Sequence, residues 1–233
     1  MILSRTENGL VRRINQDAVF ASPTLCAVAD GMGGHKAGEV ASQIAIEQIR
    51  AHQEKSPDKQ EAQLIFDAIN HAIYSTQKDN EEYGGMGTTL TAAWLCKKRL
   101  IIAHVGDSRL YVINQKGICQ LTQDHSYVGR LVRDRLITEE QARTNPYRNY
   151  IDRALGLEET VEIQFIEYSL QKGDIILICS DGLSSMIPKE ELRQVIWSSQ
   201  GDLTLDILFQ KAIAAGAPDN ISAILIWNDE VKP

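Results

Sequence analysis

Three times in this chain a short apolar run stops at an aspartate with a glycine beside it. Leu25 to Ala29 leads to Asp30-Gly31, Leu100 to Val105 leads to Gly106-Asp107, and Ile175 to Cys179 leads to Ser180-Asp181-Gly182. Short runs of aliphatic and β-branched residues bounded by turn residues read as buried strands, so the fold must let buried strands deliver carboxylates at their ends. The first case is the most elaborate. After Asp30 the chain passes Gly31, Gly33 and Gly34, reaches His35, and becomes helical at about Ala37. An ordinary Asp-Gly turn needs one residue free to take positive φ. Three glycines clear side chains from a wide stretch of backbone next to an acid and a histidine.

The remaining pattern alternates helices and strands. Ser4 to Phe20 reads as an extended segment carrying Arg12, Arg13 and Asp17. Apolar residues at Ala37, Val40, Ala41, Ile44, Ala45 and Ile49 fall on one helix face, and Ile65, Ala68, Ile69, Ala72 and Ile73 repeat that spacing. Gly84 to Gly87 ends the second helix, after which Thr88–Cys96, Leu100–Val105, Arg109–Ile113 and Ile118–Leu121 read as an antiparallel meander. Residues Tyr127 to Tyr150 are polar and charged and read as a surface insertion, the kind of segment that carries function. Val161–Ile166 and Asp174–Cys179 are again strands, Pro188 suits the first turn of a helix through Leu192, Val195 and Ile196, and Leu205 to Ala212 marks another. Asp219-Asn220 then precedes a last strand, Ile221 to Trp227. No linker or internal repeat divides the chain, so residues 1–233 are expected to form one domain.

Composition excludes several function classes. At 43% hydrophobic and 24% charged the chain is globular in character. No stretch approaches the roughly 18 apolar residues of a membrane span, and the first residues lack a signal-peptide apolar region, so a cytoplasmic location without a membrane partner is expected. The net charge is −7 and the basic residues are scattered, which argues against nucleic acid as a partner. Cys26, Cys96, Cys119 and Cys179 are too far apart in sequence for a zinc or dithiol motif and read as reduced core thiols.

Asp17, Asp30, Asp107, Asp181 and Asp219 all flank extended segments. Carboxylates brought together without compensation repel and are driven to protonate, whereas divalent cations remove the conflict. An all-oxygen ligand set without thiolates or a paired-histidine motif suits Mg²⁺ or Mn²⁺. Two such ions roughly 3.5–4 Å apart can share a water, lower its pKa and present hydroxide to a phosphoryl centre. An arginine fork, Arg12 or its neighbour Arg13, would hold phosphate oxygens. A P-loop reading fails because Glu39-Val40 follows Gly38 where a lysine and hydroxyl are needed, and no kinase catalytic loop follows the glycines.

Together these residues resemble the metal-dependent Ser/Thr protein phosphatases of the PPM family, type 2C, in their short bacterial form. The resemblance rests on Arg12 through Asp17, Asp30-Gly31-Met32-Gly33-Gly34-His35 with Gly38-Glu39, Met86-Gly87-Thr88-Thr89, Gly106-Asp107-Ser108-Arg109, Asp124-His125-Ser126, Arg153-Ala154-Leu155-Gly156, Ser180-Asp181-Gly182 and Asp219-Asn220, in family order across nearly the whole chain. It implies an α+β fold, a four-layer α/β/β/α sandwich of two antiparallel sheets flanked by helices, with a flap at about 127–150. It further implies that Asp17, Asp30, Asp181 and Asp219, with the Gly31 carbonyl, hold two Mn²⁺ or Mg²⁺ ions, and that Asp107 serves a third. Arg12, rather than Arg13, matches the phosphate-binding arginine, and His35 lies where the family places the group that protonates the leaving alkoxide. Gln16 stands where many members carry Glu. The expected activity is hydrolysis of phosphoserine and phosphothreonine in proteins without a phosphoenzyme, opposing a bacterial Ser/Thr kinase, by a monomer. The non-enzyme alternative is a pseudophosphatase acting as a regulatory module, which retention of all five aspartates opposes.

Overall fold

Strand β3 (Leu25–Met32) is apolar on both faces, and the layering follows from that. Leu25, Ala27 and Ala29 face one hydrophobic cluster while Cys26 and Val28 face another, the period-2 alternation of a strand covered on both sides. In the computed structural model, which describes residues 1–33, 37–199 and 201–228, β3 belongs to a six-stranded sheet. That sheet runs β2 (Asp17–Ala21), β3, β5 (Leu90–Cys96), β6 (Arg99–Val105) and β9 (Gln164–Ser169), with the two-residue β4 (Gly87–Thr88) also paired to β3. A five-stranded sheet runs β1 (Ile2–Glu7), β11 (Ile221–Trp227), β10 (Ile175–Cys179), β7 (Arg109–Asn114) and β8 (Gly117–Gln120). All pairings are antiparallel.

Three apolar clusters make four layers. Helices α1 (Ala37–Arg50) and α2 (Lys59–Asp79) pack Ala41, Ile49, Phe66 and Ile69 against Leu25, Ala27 and Trp94 of the first sheet. Helix α2 starts at a capping box in which the Asp58 side chain and Glu61 exchange hydrogen bonds. Helices α6 (Lys189–Ser198) and α7 (Asp202–Ala214), with the short α5 (Asp181–Ser184), pack Leu192, Ile196, Leu208 and Phe209 against Tyr111, Leu177 and Leu225 of the second. Between the sheets lie Cys26, Val28, Ile102, Leu110, Val112, Ile176, Ile178, Ile224 and Ile226. This is the α/β/β/α sandwich expected from the resemblance.

Several sequence expectations need correction. The run from Thr88 to Leu121 is not one meander: β5 and β6 form a hairpin in the first sheet, while β7 and β8 form one in the second. The chain changes sheets through Gly106-Asp107-Ser108, where Gly106 takes φ 109° and a Cβ would lie 2.5 Å from the Thr89 side chain, so only glycine fits. Asp30 sits inside β3, not beyond it, because pairing of Gly31 and Met32 with β4 prolongs the strand. The strand expected from Val161 begins only at Gln164; Val161 and Ile163 are buried before it without pairing. Cys26 and Cys179 are buried core thiols, but Cys96 is partly exposed and Cys119 exposed.

Gly31 answers the question raised by the glycine-rich stretch. Its missing Cβ is replaced by the backbone of α1: a Cβ would lie 2.0 Å from the Gly38 carbonyl oxygen and 2.6 Å from that of Gln16. The glycines therefore let a helix and a strand touch backbone to backbone beside Asp30. Gly31→Ala is expected to cost about 3 kcal/mol by overpacking, lowering the thermal midpoint by about 6–12 °C in a chain of this size; an unchanged midpoint by calorimetry would contradict the close approach.

Candidate metal centre

One end of the sandwich gathers the acids, and strand register says why. Glu7 at the end of β1 pairs with Ile221 at the start of β11, and Cys179 at the end of β10 pairs with Ala223 and with Arg109 at the start of β7. In the other sheet Asp17 at the start of β2 pairs with Asp30 near the end of β3, and Leu90 at the start of β5 pairs with Val105 at the end of β6. Asp107 lies in the crossover joining the sheets at this same end, Asp181 just after β10, and Asp219 just before β11.

The inner face changes from apolar to polar at this end. Residues of one parity point inward: Val28 then Asp30, Val19 then Asp17, Ile178 then Ser180, Ile224 then Ser222, Ile102 then His104. Asp17 and Asp30 are direct cross-strand partners, so two carboxylates face each other on the inner surface. Like charges placed so are destabilising. Ser180, from the opposite sheet, donates its hydroxyl to Asp17 Oδ2 at 2.8 Å, while Asp17 Oδ1 is buried with no hydrogen-bond partner among the described residues.

Burial and mutual repulsion set the protonation of the group. Burial pushes Asp17 up to about 7, with Asp181 and Asp219 adding to the rise and the Ser222 and Ser180 hydroxyls opposing it. Asp30 is held well above the usual carboxylate range by burial, then by Asp17, Asp181, Asp107 and Asp219. Asp107 is raised likewise by burial and by Asp181 and Asp124, against Arg109. Asp181 rises to about 6 through burial and Asp219. Among the described residues no three of these side chains form a closed ligand set. Orphaned oxygen, burial and an all-carboxylate donor set fit a hard divalent cation, which would relieve each of these costs.

Arg12 reaches the same place. Its Nη2 donates to Asp219 Oδ2 at 2.9 Å, and that bond raises its pKa, with further contributions from Asp30 and Asp181. The side chain of the rival Arg13 makes no hydrogen bond or ion pair among the described residues, so the structure sets Arg12 rather than Arg13 against the acids. His35 lies outside the described residues.

Most of the groups that hold this frame stood in the sequence motifs, but without the partners the structure gives them. Asn220 Nδ2 donates to the carbonyls of Asn8 and Ile14, while its Oδ1 accepts from the Gln16 amide at 2.8 Å, tying the segment before β2 to the start of β11. Thr88 and Thr89 clamp Asp30: the Thr89 amide donates to its carbonyl, its amide donates to Thr89 Oγ1, and Thr88 Oγ1 donates to its carbonyl. His125 is held against the crossover. Its amide donates to the Gly106 carbonyl and its Nδ1 accepts from the Gly106 amide, so the ring proton is on Nε2. His104 must donate from Nε2 to the Gln123 carbonyl and so accepts the Thr91 hydroxyl on Nδ1. Burial pushes His104 down to about 4 and His125 to about 3, leaving both neutral frame elements. Asp124 takes the Arg109 guanidinium on both oxygens, and Ser126 caps the helix that opens the 127–150 segment. Asn-after-Asp and His-after-Asp were visible as motifs, but nothing local says what they bind.

The family model described as protein phosphatase 2C matches residues 7–212. The serine/threonine phosphatase stp of Listeria monocytogenes is 35% identical over 238 residues, covering 97% of this chain and 94% of that protein. Among solved structures, Stp1 from Staphylococcus aureus, a serine/threonine phosphatase, superposes with a TM-score of 0.88 at 36% identity, covering 96% of this chain and 93% of that one. The catalytic domain of the serine threonine protein phosphatase PstP in complex with two manganese ions does so at 0.88 and 35% identity, covering 97% and 96%.

Because the metal-free chain must either bear the repulsion between the facing Asp17 and Asp30 or protonate one of them, removing one acid should stabilise it. Asp30→Asn is expected to raise its stability in EDTA by ~1 kcal/mol, about 2–4 °C in thermal midpoint, while abolishing the further rise that Mn²⁺ gives the unaltered protein. Calorimetry with and without Mn²⁺ checks both halves.

Proposed function

This chain belongs to the protein phosphatase 2C family, and from that premise we propose that it is a metal-dependent phosphatase hydrolysing phosphoserine and phosphothreonine in proteins. The observation that carries the reading is the facing pair Asp17 and Asp30, with Asp181 and Asp219 at the same end of the sandwich and Arg12 beside them. Asp17, Asp30, Asp181 and Asp219, with the Gly31 carbonyl, are the proposed holders of two Mn²⁺ or Mg²⁺ ions, and Asp107 of a third. Bound there, such ions supply charge compensation and a lowered pKa for attacking water.

The chain's own groups account for the rest. Ser180 and the register of β2 and β3 hold Asp17 in orientation before any ligand arrives. Arg12 is already drawn to the acid group by Asp219; a phosphate dianion offers the guanidinium two oxygens and would share or displace that partner. Water attacks phosphorus as the ester P–O bond breaks, releasing inorganic phosphate and the serine or threonine hydroxyl. No protein nucleophile is called for: burial pushes the Cys26 and Cys179 thiols up to about 12. His35 is the proposed donor of the proton that the leaving alkoxide needs.

The reading extends to a single catalytic domain of residues 1–233, monomeric and cytoplasmic, acting on targets of a bacterial Ser/Thr kinase. No described helix is long and apolar enough to cross a membrane.

Purified protein with Mn²⁺ should hydrolyse p-nitrophenyl phosphate and a phosphothreonine peptide, and EDTA should abolish both; turnover surviving complete metal removal would overturn the reading. Asp181→Asn should lose several orders of magnitude in kcat/KM, and near-normal turnover would mean the centre is misplaced. If His35 supplies the leaving-group proton, His35→Gln should slow the phosphothreonine peptide far more than p-nitrophenyl phosphate, whose phenolate leaves without one. Equal losses on the two substrates would remove it from that role.

A further inference from the structure

A cleft of about 870 Å³ opens from Asp107, Asp181 and Asp219 and runs beneath the 127–150 segment. Its roof is made by α3 (Tyr127–Arg133) and α4 (Glu139–Thr144). The ends of that segment are fastened together, with the Tyr127 amide donating to the Tyr150 carbonyl and Ser126 bridging Ile151. Its far side is fastened to the start of α6, where Arg143 donates to the Ile187 carbonyl and Lys189 pairs with Glu139 at 3.6 Å. The cleft is therefore a built passage leading to the acid group.

Its charge is opposite to that of the protein. The chain carries −7 overall, yet Arg13, Arg133, Arg143 and Arg148 all line the cleft and none forms an ion pair among the described residues. Outside the cleft Arg5 pairs with Glu7 and Asp206, Arg99 with Glu167, Arg130 with Asp152 and Arg153 with Glu162, while Arg50, Arg135 and Arg193 form no ion pair among the described residues; within it Arg109 is taken by Asp124. Burial lowers the pKa of Arg143, and Arg109 lowers it further, against Glu139 and Glu140. A protein with excess acid that leaves four arginines unmatched in one passage has kept their partner for something that enters it.

We propose that this row of arginines is a specificity subsite for anionic side chains flanking the phosphorylated residue, so that acidic or multiply phosphorylated segments are the preferred substrates. The proposal rests on the phosphatase reading and deepens it. Arg12, occupied at the acid group, takes the phosphate to be cleaved, while Arg133 and Arg148, both exposed and unpartnered, meet carboxylates or a second phosphate further along the same polypeptide. Guanidinium groups suit both, since their planar donors match carboxylate and phosphate oxygens two at a time.

The test uses the Mn²⁺-loaded protein and matched phosphothreonine peptides flanked by Glu, Ala or Lys, with a fourth carrying a second phosphothreonine. The expected result is kcat/KM about tenfold higher for the Glu and doubly phosphorylated peptides than for the Ala peptide, lower still for Lys, expressed in KM and eroded by salt. Arg133→Glu with Arg148→Glu should reverse the order of the Glu and Lys peptides while leaving p-nitrophenyl phosphate turnover unchanged. Phosphonate versions of the peptides, which resist hydrolysis, give the same comparison by fluorescence anisotropy. Equal binding of the Glu, Ala and Lys peptides, an order unchanged by the charge reversal, or displacement of the Glu peptide by an oligonucleotide at equal phosphate concentration would each overturn the subsite. If p-nitrophenyl phosphate is hydrolysed while the peptides bind alike, the subsite fails and the phosphatase stands; if the anisotropy order holds without any hydrolysis, the reverse is true.

Discussion

Two aspartates, Asp17 and Asp30, sit directly opposite one another on adjacent strands, half or wholly buried, and much of the structure can be understood as holding them there. Left alone the pair would protonate, slip in register or turn toward solvent. The raised pKa values of both acids record the pull toward protonation, and the other two exits are closed. Register is set by the apolar residues that follow on both strands, since shifting β2 by one residue would turn Val19 out of the inter-sheet layer. Ser180 holds one carboxylate from the opposite sheet, and Thr88 and Thr89 clamp the backbone of the other. Asn220 fastens the segment before β2 to the far sheet. The frame thus stores an electrostatic conflict, which a divalent cation held by these acids would resolve.

Local packing and site construction are the same thing at this end of the molecule. Gly31 and Gly38 are glycines because helix α1 lies backbone to backbone against β3, which carries Asp30 at a fixed distance from the helix start. Gly182 does the equivalent beside Asp181, where a Cβ would lie 1.9 Å from the Asn220 carbonyl oxygen. The sheet-to-sheet crossover at Gly106 delivers Asp107, and His125 holds that crossover to the base of the 127–150 segment by two hydrogen bonds. Movement of that segment relative to the sandwich would therefore be felt first at Asp107. The neutral ring of His125 suits the task, because its Nδ1 must stay free to accept from the Gly106 amide.

Much of this was legible in the chain before any coordinates. Asp30, Asp107 and Asp181 could be read as acids at strand ends because apolar runs next to glycines are local signals. The helices from Ala37 and through Ile65 to Ile73 followed from 3.6-residue spacing, and both are present. The meander was misread because strand hydrophobicity is the same whichever sheet a strand joins; only the short crossover Gly106-Asp107-Ser108 separates β6 from β7. The glycines after Asp30 were readable as cleared backbone, but not what fills the space, since Gly38 approaches Gly31 only once α1 has packed. Arg109 and Asp124, Asn220, Ser180 and Thr89 gave no signal of their partners, because each acts across a gap in sequence that only folding closes.

What the sequence determined by itself was the inventory: which strands are buried on both faces, which residues at their ends are acids, which arginine lies a short step before Asp17, and hence that an oxygen-ligated divalent cation and a phosphate belong in the same sentence. Tertiary structure decided the arrangement. Register made Asp17 and Asp30 face each other rather than alternate, the sheet crossover brought Asp107 to the same end, and Asp219 drew Arg12 rather than Arg13 to the group. The physical reason is that burial and hydrophobic period are properties of a segment, whereas the repulsion that makes a metal site is a property of a distance between segments, and that distance exists only after the two sheets have closed on their shared core.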